Sequence, residues 1–138
     1  MLLLALPALA ADLHLALSVR DFDGCASLGT ADEALYTSLV AETDPAIVPS
    51  TVPMRAAGCL LELYPSKPEL ATLLQTWMVD PERQGFAMLV AGRIDLLPVE
   101  TAVKLAEAAK AGPERVRTRL LTSTRPEVIA VLQSTSDR

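Results

Sequence analysis

Four proline–glutamate pairs divide the second half of the chain into short segments with the hydrophobic spacing of helices. They are Pro68-Glu69, Pro81-Glu82, Pro113-Glu114 and Pro126-Glu127. Proline is favoured at the first position of a helix because its missing N–H would have no partner there, and the following glutamate meets the positive end of the helix dipole. Since short amphipathic helices are not stable alone, consecutive segments of this kind must pack as antiparallel neighbours.

The composition favours an all-α fold. Aromatic residues make up only 4% of the 138 residues, and the abundance of alanine and leucine suits packed helices better than sheets. The alternation of Leu13, Leu15 and Leu17 suggests a strand, but a lone strand would have no partner, so we interpret it as helix. Gly112 is interpreted as a helix stop. The pattern predicts helices near 12–20, 31–43, 52–63, 68–79, 81–95, 99–111, 114–123 and 126–134, and a helical turn within 23–29.

Three segments align on an arginine that lies two residues after a proline. In each segment, apolar residues follow the arginine at the fifth and sixth positions, and a second helix follows the first. The aligned prolines are 28 and 32 residues apart, and self-similarity at this period with two helices per unit is typical of an α-solenoid. The motif residues are Arg55, Asp80, Pro81, Arg83, Pro113 and Arg115.

This pattern resembles the HEAT-repeat family in its short bacterial form, which has an Asp-Pro turn, an arginine shortly after it, and alanine and leucine at the packing positions. The resemblance covers about residues 52–134, and it departs in the third unit, where Arg119 stands at a position expected to be small. It implies an α-solenoid of stacked antiparallel helix pairs; an irregular helical bundle is the alternative. The predicted organisation is a signal peptide over 1–10, an acidic helical cap over 11–50 and HEAT-like repeats over 51–138.

The resemblance implies a protein–protein interaction scaffold or adaptor that binds a protein or peptide, performs no catalysis and needs no cofactor. The chain contains no phosphate loop, nucleophile elbow or paired-carboxylate pattern. The enzymatic alternative to a scaffold is a helical-repeat lyase or an enzyme accessory subunit. The second helices would form the binding groove, for which the candidate residues are Glu69, Gln75, Trp77, Glu100, Lys104, Glu107, Lys110 and Gln133.

One basic cluster offers a different class of function, a nucleic-acid-binding helical repeat. Its members are Arg115, Arg117, Arg119 and Arg125, and phosphate contacts need cations. However, Arg115 and Arg119 lie about 40° apart on a helix while Arg117 lies on the other side, and no aromatic residues interleave to stack on bases. With a net charge of −5, nucleic acid is an unfavoured partner. The alternative is a charged outer helix face with one arginine bracing the neighbouring turn.

The N-terminal residues indicate export. Residues 2–9 form an uncharged apolar run, and Ala8-Leu9-Ala10 resembles a signal-peptidase site cut after Ala10. No basic residue precedes the run, so a first core helix is the alternative, and the run is too short to span a bilayer. We expect a periplasmic or secreted protein without stable membrane insertion after signal removal; a core helix would instead indicate a cytoplasmic protein.

The two cysteines agree with this location. Cys25 and Cys59 are the only thiols, and in an exported protein they would form a disulfide; two buried free thiols are the alternative.

Residues 1–50 carry one basic and seven acidic residues. This asymmetry predicts either a solvated acidic cap or a docking face for a basic partner.

Other chemistry-bearing residues favour structural roles. His14 is the only histidine, too little for a metal site or a histidine-based nucleophile, and we expect it to face solvent. The stretch 21–24 begins like a calcium loop, but Ala26 and Asp32 stand where glycine and glutamate are required, so a turn is expected. Trp77 is either part of the core or an anchor at the groove edge.

Overall fold

The computed structural model describes residues 12–134, and every regular element among them is helical. The predicted all-α fold class is therefore confirmed. The chain divides into two compact units, and the boundary lies between Tyr64 and Pro65. The predicted signal segment 1–10 lies outside the described residues. Within the described part of the chain, no helix combines the length and apolar character needed to cross a bilayer.

Within residues 12–64, the first unit contains three α-helices and a 3₁₀ turn. Helix α1 covers 12–18, the turn covers Cys25–Leu28, α2 covers Glu33–Glu42 and α3 covers Thr51–Leu63. In α1, Leu13 and Leu17 are buried one turn apart while Leu15 is exposed, so the helical interpretation of this alternation is correct. Gly24 and Gly29 flank the 3₁₀ turn with φ of 103° and 109°, a region that favours glycine.

A disulfide joins the 3₁₀ turn to α3. Cys25 and Cys59 are bonded, with their Cα atoms 5.3 Å apart, as the sequence predicted. Cys59 is fully buried in α3. Because the bridge closes a long loop that contains all of α2, it restricts the unfolded chain as well as fixing the turn.

Two further contacts tie other parts of the first unit to α3. The guanidinium of Arg55 donates to the carbonyl oxygens of Leu17, at 3.0 Å, and Val19, at the end of α1. The hydroxyl of Tyr64, directly after α3, donates to the carbonyl of Asp32 at 2.8 Å, and Asp32 is the N-cap of α2. Helix α3 therefore carries the contacts that position the elements preceding it.

The described part of the second unit, residues 65–134, contains five α-helices. They are α4 (Pro68–Val79), α5 (Gln84–Gly92), α6 (Val99–Ala109), α7 (Glu114–Leu120) and α8 (Pro126–Gln133), with 3₁₀ turns at Pro81–Arg83 and Ile94–Leu96. Pro68 and Pro126 occupy the first helical positions, as predicted. Pro113 immediately precedes α7, and Pro81 opens a 3₁₀ turn rather than α5. The α-helix predicted over 81–95 is therefore shorter.

The helices of the second unit pack in alternation. Helix α4 contacts α6, α6 contacts α8, and α5 contacts α7. Each helix thus packs beside the helix two places along, which gives one row of α4, α6 and α8 and another row of α5 and α7. The α4–α6–α8 row consists of the second helices of the aligned segments. Consecutive helices also contact one another, most extensively α4 and α5.

Gly112 allows a close approach between α4 and the turn after α6. A Cβ atom at this position would lie 2.2 Å from the main-chain oxygen of Met78, so any larger residue would force the backbones apart. The φ of Gly112 is not positive. Gly112 does follow α6, but the reason for a glycine here differs from the one predicted. Close backbone contact, rather than a left-handed cap, requires glycine at this position.

Candidate functional site

The outward side of the α4–α6–α8 row carries most of the predicted groove residues. Helix α6 buries Ala102, Leu105, Ala106 and Ala109, which leaves its other side for polar residues. Five groove candidates are exposed on the row, and we call them the row surface. They are Glu69, Glu100, Lys104, Glu107 and Gln133. Gln75 and Lys110, also predicted for the groove, are half-buried.

Charges on α6 remain available to a partner. Glu100 and Lys104 are spaced to form a helical ion pair, but no ion pair joins them within residues 12–134. Glu107 likewise has no ion-pair or hydrogen-bond partner for its side chain among these residues. Glu69, on α4, lies 3.7 Å from the ammonium of Lys67. The row surface is thus a mixed-charge face.

Trp77 does not belong to the groove. Its side chain is 2% exposed and packs against Phe86, with the ring centroids 4.9 Å apart. Of the two roles left open by the sequence, core packing is the one the structure shows. An anchor residue must be accessible before the partner binds, so Trp77 is removed from the candidate groove.

A concave feature, the α5–α7 cavity, lies in the other row. Its volume is about 440 Å³, within the range of about 300–1,000 Å³ typical of small-ligand pockets. One apolar side chain from α5 lies beside polar and charged side chains from α7 and the residues after it. The lining residues are Met88, Glu114, Arg115, Thr118, Arg119 and Thr122.

Arg119 is held in place at the α5–α7 cavity. Its Nη1 atom donates to the hydroxyl oxygen of Thr122 at 3.1 Å. A Cβ atom on Gly92 would lie 3.1 Å from Nη2 of Arg119, so the guanidinium lies directly over this glycine. Arg119 departs from the repeat pattern, which has a small residue at this position. Gly92 on the facing helix leaves room for the larger arginine side chain. Arg115, one turn earlier, is exposed and has no side-chain partner within residues 12–134.

The three aligned arginines have different environments. Arg83 donates to Asp80 at 2.6 Å, and Asp80 also accepts from the main-chain N–H of Glu82 at 2.9 Å. The backbone N–H of Glu82, followed by Arg83, lowers the pKa of Asp80 below its ordinary value. Arg55 instead reaches α1 and lies 5.3 Å from the ring centre of Phe22. The Asp80-Pro81…Arg83 motif therefore stabilises its own turn.

Arg117 has the bracing role that the sequence assigned to one arginine of the basic cluster. Its Nη1 atom donates to the carbonyl oxygen of Gly112 in the preceding turn. Arg117 therefore points away from the pair formed by Arg115 and Arg119, as the helical spacing predicted. The basic cluster divides into a structural arginine and a pair that lines the α5–α7 cavity.

Asp95 organises the turn before α8. It accepts hydrogen bonds from the hydroxyl of Ser123 and from the main-chain N–H and hydroxyl of Thr124, the last two at 2.9 and 2.8 Å. The Ser123 hydroxyl and then the Thr124 groups lower the pKa of Asp95. Nearby Arg125 has a buried Nη1 atom without a hydrogen-bond partner in the described chain. The side chains of Asp95, Ser123 and Thr124 are therefore committed to this loop.

His14 is paired rather than freely solvated. Its Nδ1 atom lies 2.9 Å from Oε1 of Glu42, and its side chain is 40% exposed, so the expected solvent-facing histidine also links α1 to the end of α2. Within residues 12–134, no group of three or more histidine, cysteine or acidic side chains is placed to hold a metal ion.

Sequence reasoning identified only part of the α5–α7 cavity. Arg115 and Arg119 were singled out, and helical spacing also places Glu114, Thr118 and Thr122 along one side of this segment. That spacing was a usable signal for the three residues. Met88 comes from another helix, and no pattern in one sequence shows which helices face one another.

Comparison with protein-family models, with characterised proteins and with solved structures returns no match to this chain. The HEAT-like interpretation therefore depends on the arginine-aligned motif and on the alternating helix contacts.

Proposed function

We propose that the chain is a protein–protein interaction scaffold built on HEAT-like helix pairs, without catalytic activity of its own. The observation that carries this proposal is the alternating contact pattern of the second unit, in which α4, α6 and α8 form one row. Such a row presents side chains from sequence-distant helices as one surface.

The row surface supplies the binding chemistry in this proposal. Glu100, Lys104 and Glu107 are exposed on α6 and make no ion pairs within the described residues. A partner with complementary charges would gain contacts without breaking internal ones, and charge complementarity mainly determines specificity and association rate. We therefore assign partner selection to α6, the middle helix of the row.

The proposal includes export to an oxidising compartment. The Cys25–Cys59 disulfide supports it, because such bonds persist in secreted and periplasmic proteins and are rare in reducing cytosol. Intact mass of the protein isolated from its native host, with thiols alkylated before and after reduction, tests this directly. Thiols that react before reduction would contradict export.

Site-specific photo-crosslinking tests the scaffold function. We would place a photoreactive amino acid at Glu107 and express the full chain in its native host. We expect a discrete protein adduct, with a yield that falls severalfold when Lys104→Glu is introduced into the same chain, because the substitution reverses a charge one turn away.

The matched control carries the photoreactive residue at Thr37, which is exposed on α2 in the first unit. This position should not give the same adduct. Identical adducts at both positions, or no adduct at Glu107 in a folded chain, would refute the assignment of the row surface. An adduct that Lys104→Glu leaves unchanged would refute the role of charge.

A further inference from the structure

We propose that the α5–α7 cavity binds an acidic peptide. In this complex Arg115 and Arg119 hold the carboxylate of one aspartate or glutamate side chain, and Met88 contacts a neighbouring apolar side chain. The site lies in the row of first helices and uses none of the residues of the row surface. It is therefore a second binding site that does not depend on the scaffold proposal.

The two arginines form a suitable carboxylate site. They are four residues apart in sequence, which places them one above the other on the same side of α7, about 5–6 Å apart at Cβ. Guanidinium groups offer paired N–H donors that match the two oxygens of a carboxylate. Thr122 and the close fit over Gly92 limit the motion of Arg119, which lowers the entropy lost on binding. Arg115 has no competing partner in the described chain.

The other lining residues favour a peptide over nucleic acid. Glu114 lies in the same lining and would repel a continuous phosphate backbone, whereas a single carboxylate can be placed on the arginine side. Met88 offers an apolar contact, and the lining contains no aromatic ring on which a base could stack. Thr118 supplies a hydroxyl group that can bond to a peptide main chain.

Fluorescence anisotropy with defined probes tests this site. The probes are a labelled peptide of alternating glutamate and leucine, the same peptide with glutamine for glutamate, and a labelled single-stranded DNA of equal charge. We expect the glutamate peptide to bind at low ionic strength and the glutamine peptide to bind up to about fivefold more weakly for each ion pair lost, because an exposed ion pair contributes up to about 1 kcal/mol. The DNA should also bind more weakly than the glutamate peptide, because Glu114 repels its phosphates and the lining has no aromatic ring to stack on its bases. Equal binding of the glutamine peptide, or tighter binding of the DNA, would overturn the proposal.

Protein variants locate the binding to the cavity. Arg115→Gln and Arg119→Gln should each weaken binding of the glutamate peptide about threefold or more. The matched control is Arg20→Gln, which removes the same charge from an exposed position in the first unit and should leave the affinity unchanged. Tryptophan fluorescence confirms that the second unit is folded in Arg115→Gln and Arg119→Gln, and tyrosine near-ultraviolet circular dichroism confirms that the first unit is folded in Arg20→Gln. If Arg119→Gln unfolds the second unit, Arg115→Gln decides, because the Arg115 side chain has no partner within residues 12–134. Equal losses in Arg115→Gln and Arg20→Gln would show nonspecific attraction and overturn the site.

Discussion

Removing the Cys25–Cys59 disulfide should destabilise the first unit far more than a typical substitution. The perturbation is the double variant Cys25→Ser with Cys59→Ala. The two cysteines are 34 residues apart in sequence. For a loop of this length, the chain-entropy relation gives about 3.8 kcal/mol at 25 °C. The bridge restricts the unfolded chain by this amount, so its loss stabilises the unfolded state.

This loss is large relative to the expected stability of the unit. A unit ending at Tyr64 should have a total unfolding free energy of about 3–10 kcal/mol at the usual value per residue. With a urea m-value of about 1 kcal/mol per molar for a small unit, the midpoint should fall by more than about 3 M. If the unfolding free energy lies at the lower end of this range, the first unit does not fold without the disulfide.

The aromatic residues allow each unit to be followed separately by urea denaturation. Tyr36 and Tyr64 are in edge-to-face contact in the first unit, 5.2 Å between ring centroids, whereas Trp77 is buried in the second unit. Tyrosine near-ultraviolet circular dichroism therefore reports on the first unit, and selectively excited tryptophan fluorescence on the second. We expect the large midpoint shift in the tyrosine signal.

Reduced wild-type protein provides the control for packing. It lacks the bond but retains both sulfur atoms, so its difference from the double variant measures the loss of side-chain contacts around buried Cys59. The chain-entropy reasoning would be refuted if the urea midpoint of the tyrosine signal corresponded to a loss of less than about 1 kcal/mol of unfolding free energy in both the reduced protein and the double variant.

Three further predictions concern single substitutions. Gly112→Ala should destabilise the second unit by about 1–3 kcal/mol, because its Cβ would overlap the main-chain oxygen of Met78. Gly92→Ala should cost less than about 0.5 kcal/mol, because its Cβ would meet the terminal guanidinium of Arg119 rather than backbone; urea denaturation compares the two variants. Arg55→Met should cost the first unit about 1.5–3 kcal/mol through lost charge-assisted hydrogen bonds, measured by tyrosine-monitored unfolding; an unchanged midpoint would contradict the bracing role. The lowered pKa of Asp95 means that its carboxylate stabilises the second unit above the unfolded pKa of about 3.9, and that this stabilisation is lost as the pH falls through the folded pKa. Asp95→Asn should therefore reduce the loss of stability in acid, measured by tryptophan fluorescence. An acid unfolding profile that the substitution leaves unchanged would contradict this role of Asp95.

Local sequence signals predicted the helices well. Pro68 and Pro126 begin their helices because a residue without an N–H is tolerated at that position regardless of its surroundings. The end of α7 was less predictable: a helix was expected to reach residue 123 but ends at Leu120. Asp95 takes up the hydroxyl and N–H groups of residues 123 and 124, and such a distant competitor for the backbone is invisible to local spacing.

The candidate sites were predictable only within single helices. Helical spacing placed Arg115 and Arg119 together and Arg117 apart, and the structure agrees. The same reasoning could not choose between the two roles of Trp77, because burial depends on which helix covers it. Pairing across elements, as between Met88 and α7, requires the tertiary arrangement.

The position of α3 has a consequence for synthesis of the chain. The disulfide, the Arg55 contacts to α1 and the Tyr64 contact to the start of α2 all depend on residues 55–64. A growing polypeptide emerges from the ribosome N-terminus first, so residues 12–50 are exposed before any of these partners has been made. A chain that ends at residue 50 should therefore remain sensitive to protease, and compaction of the first unit should require the chain to extend to Tyr64.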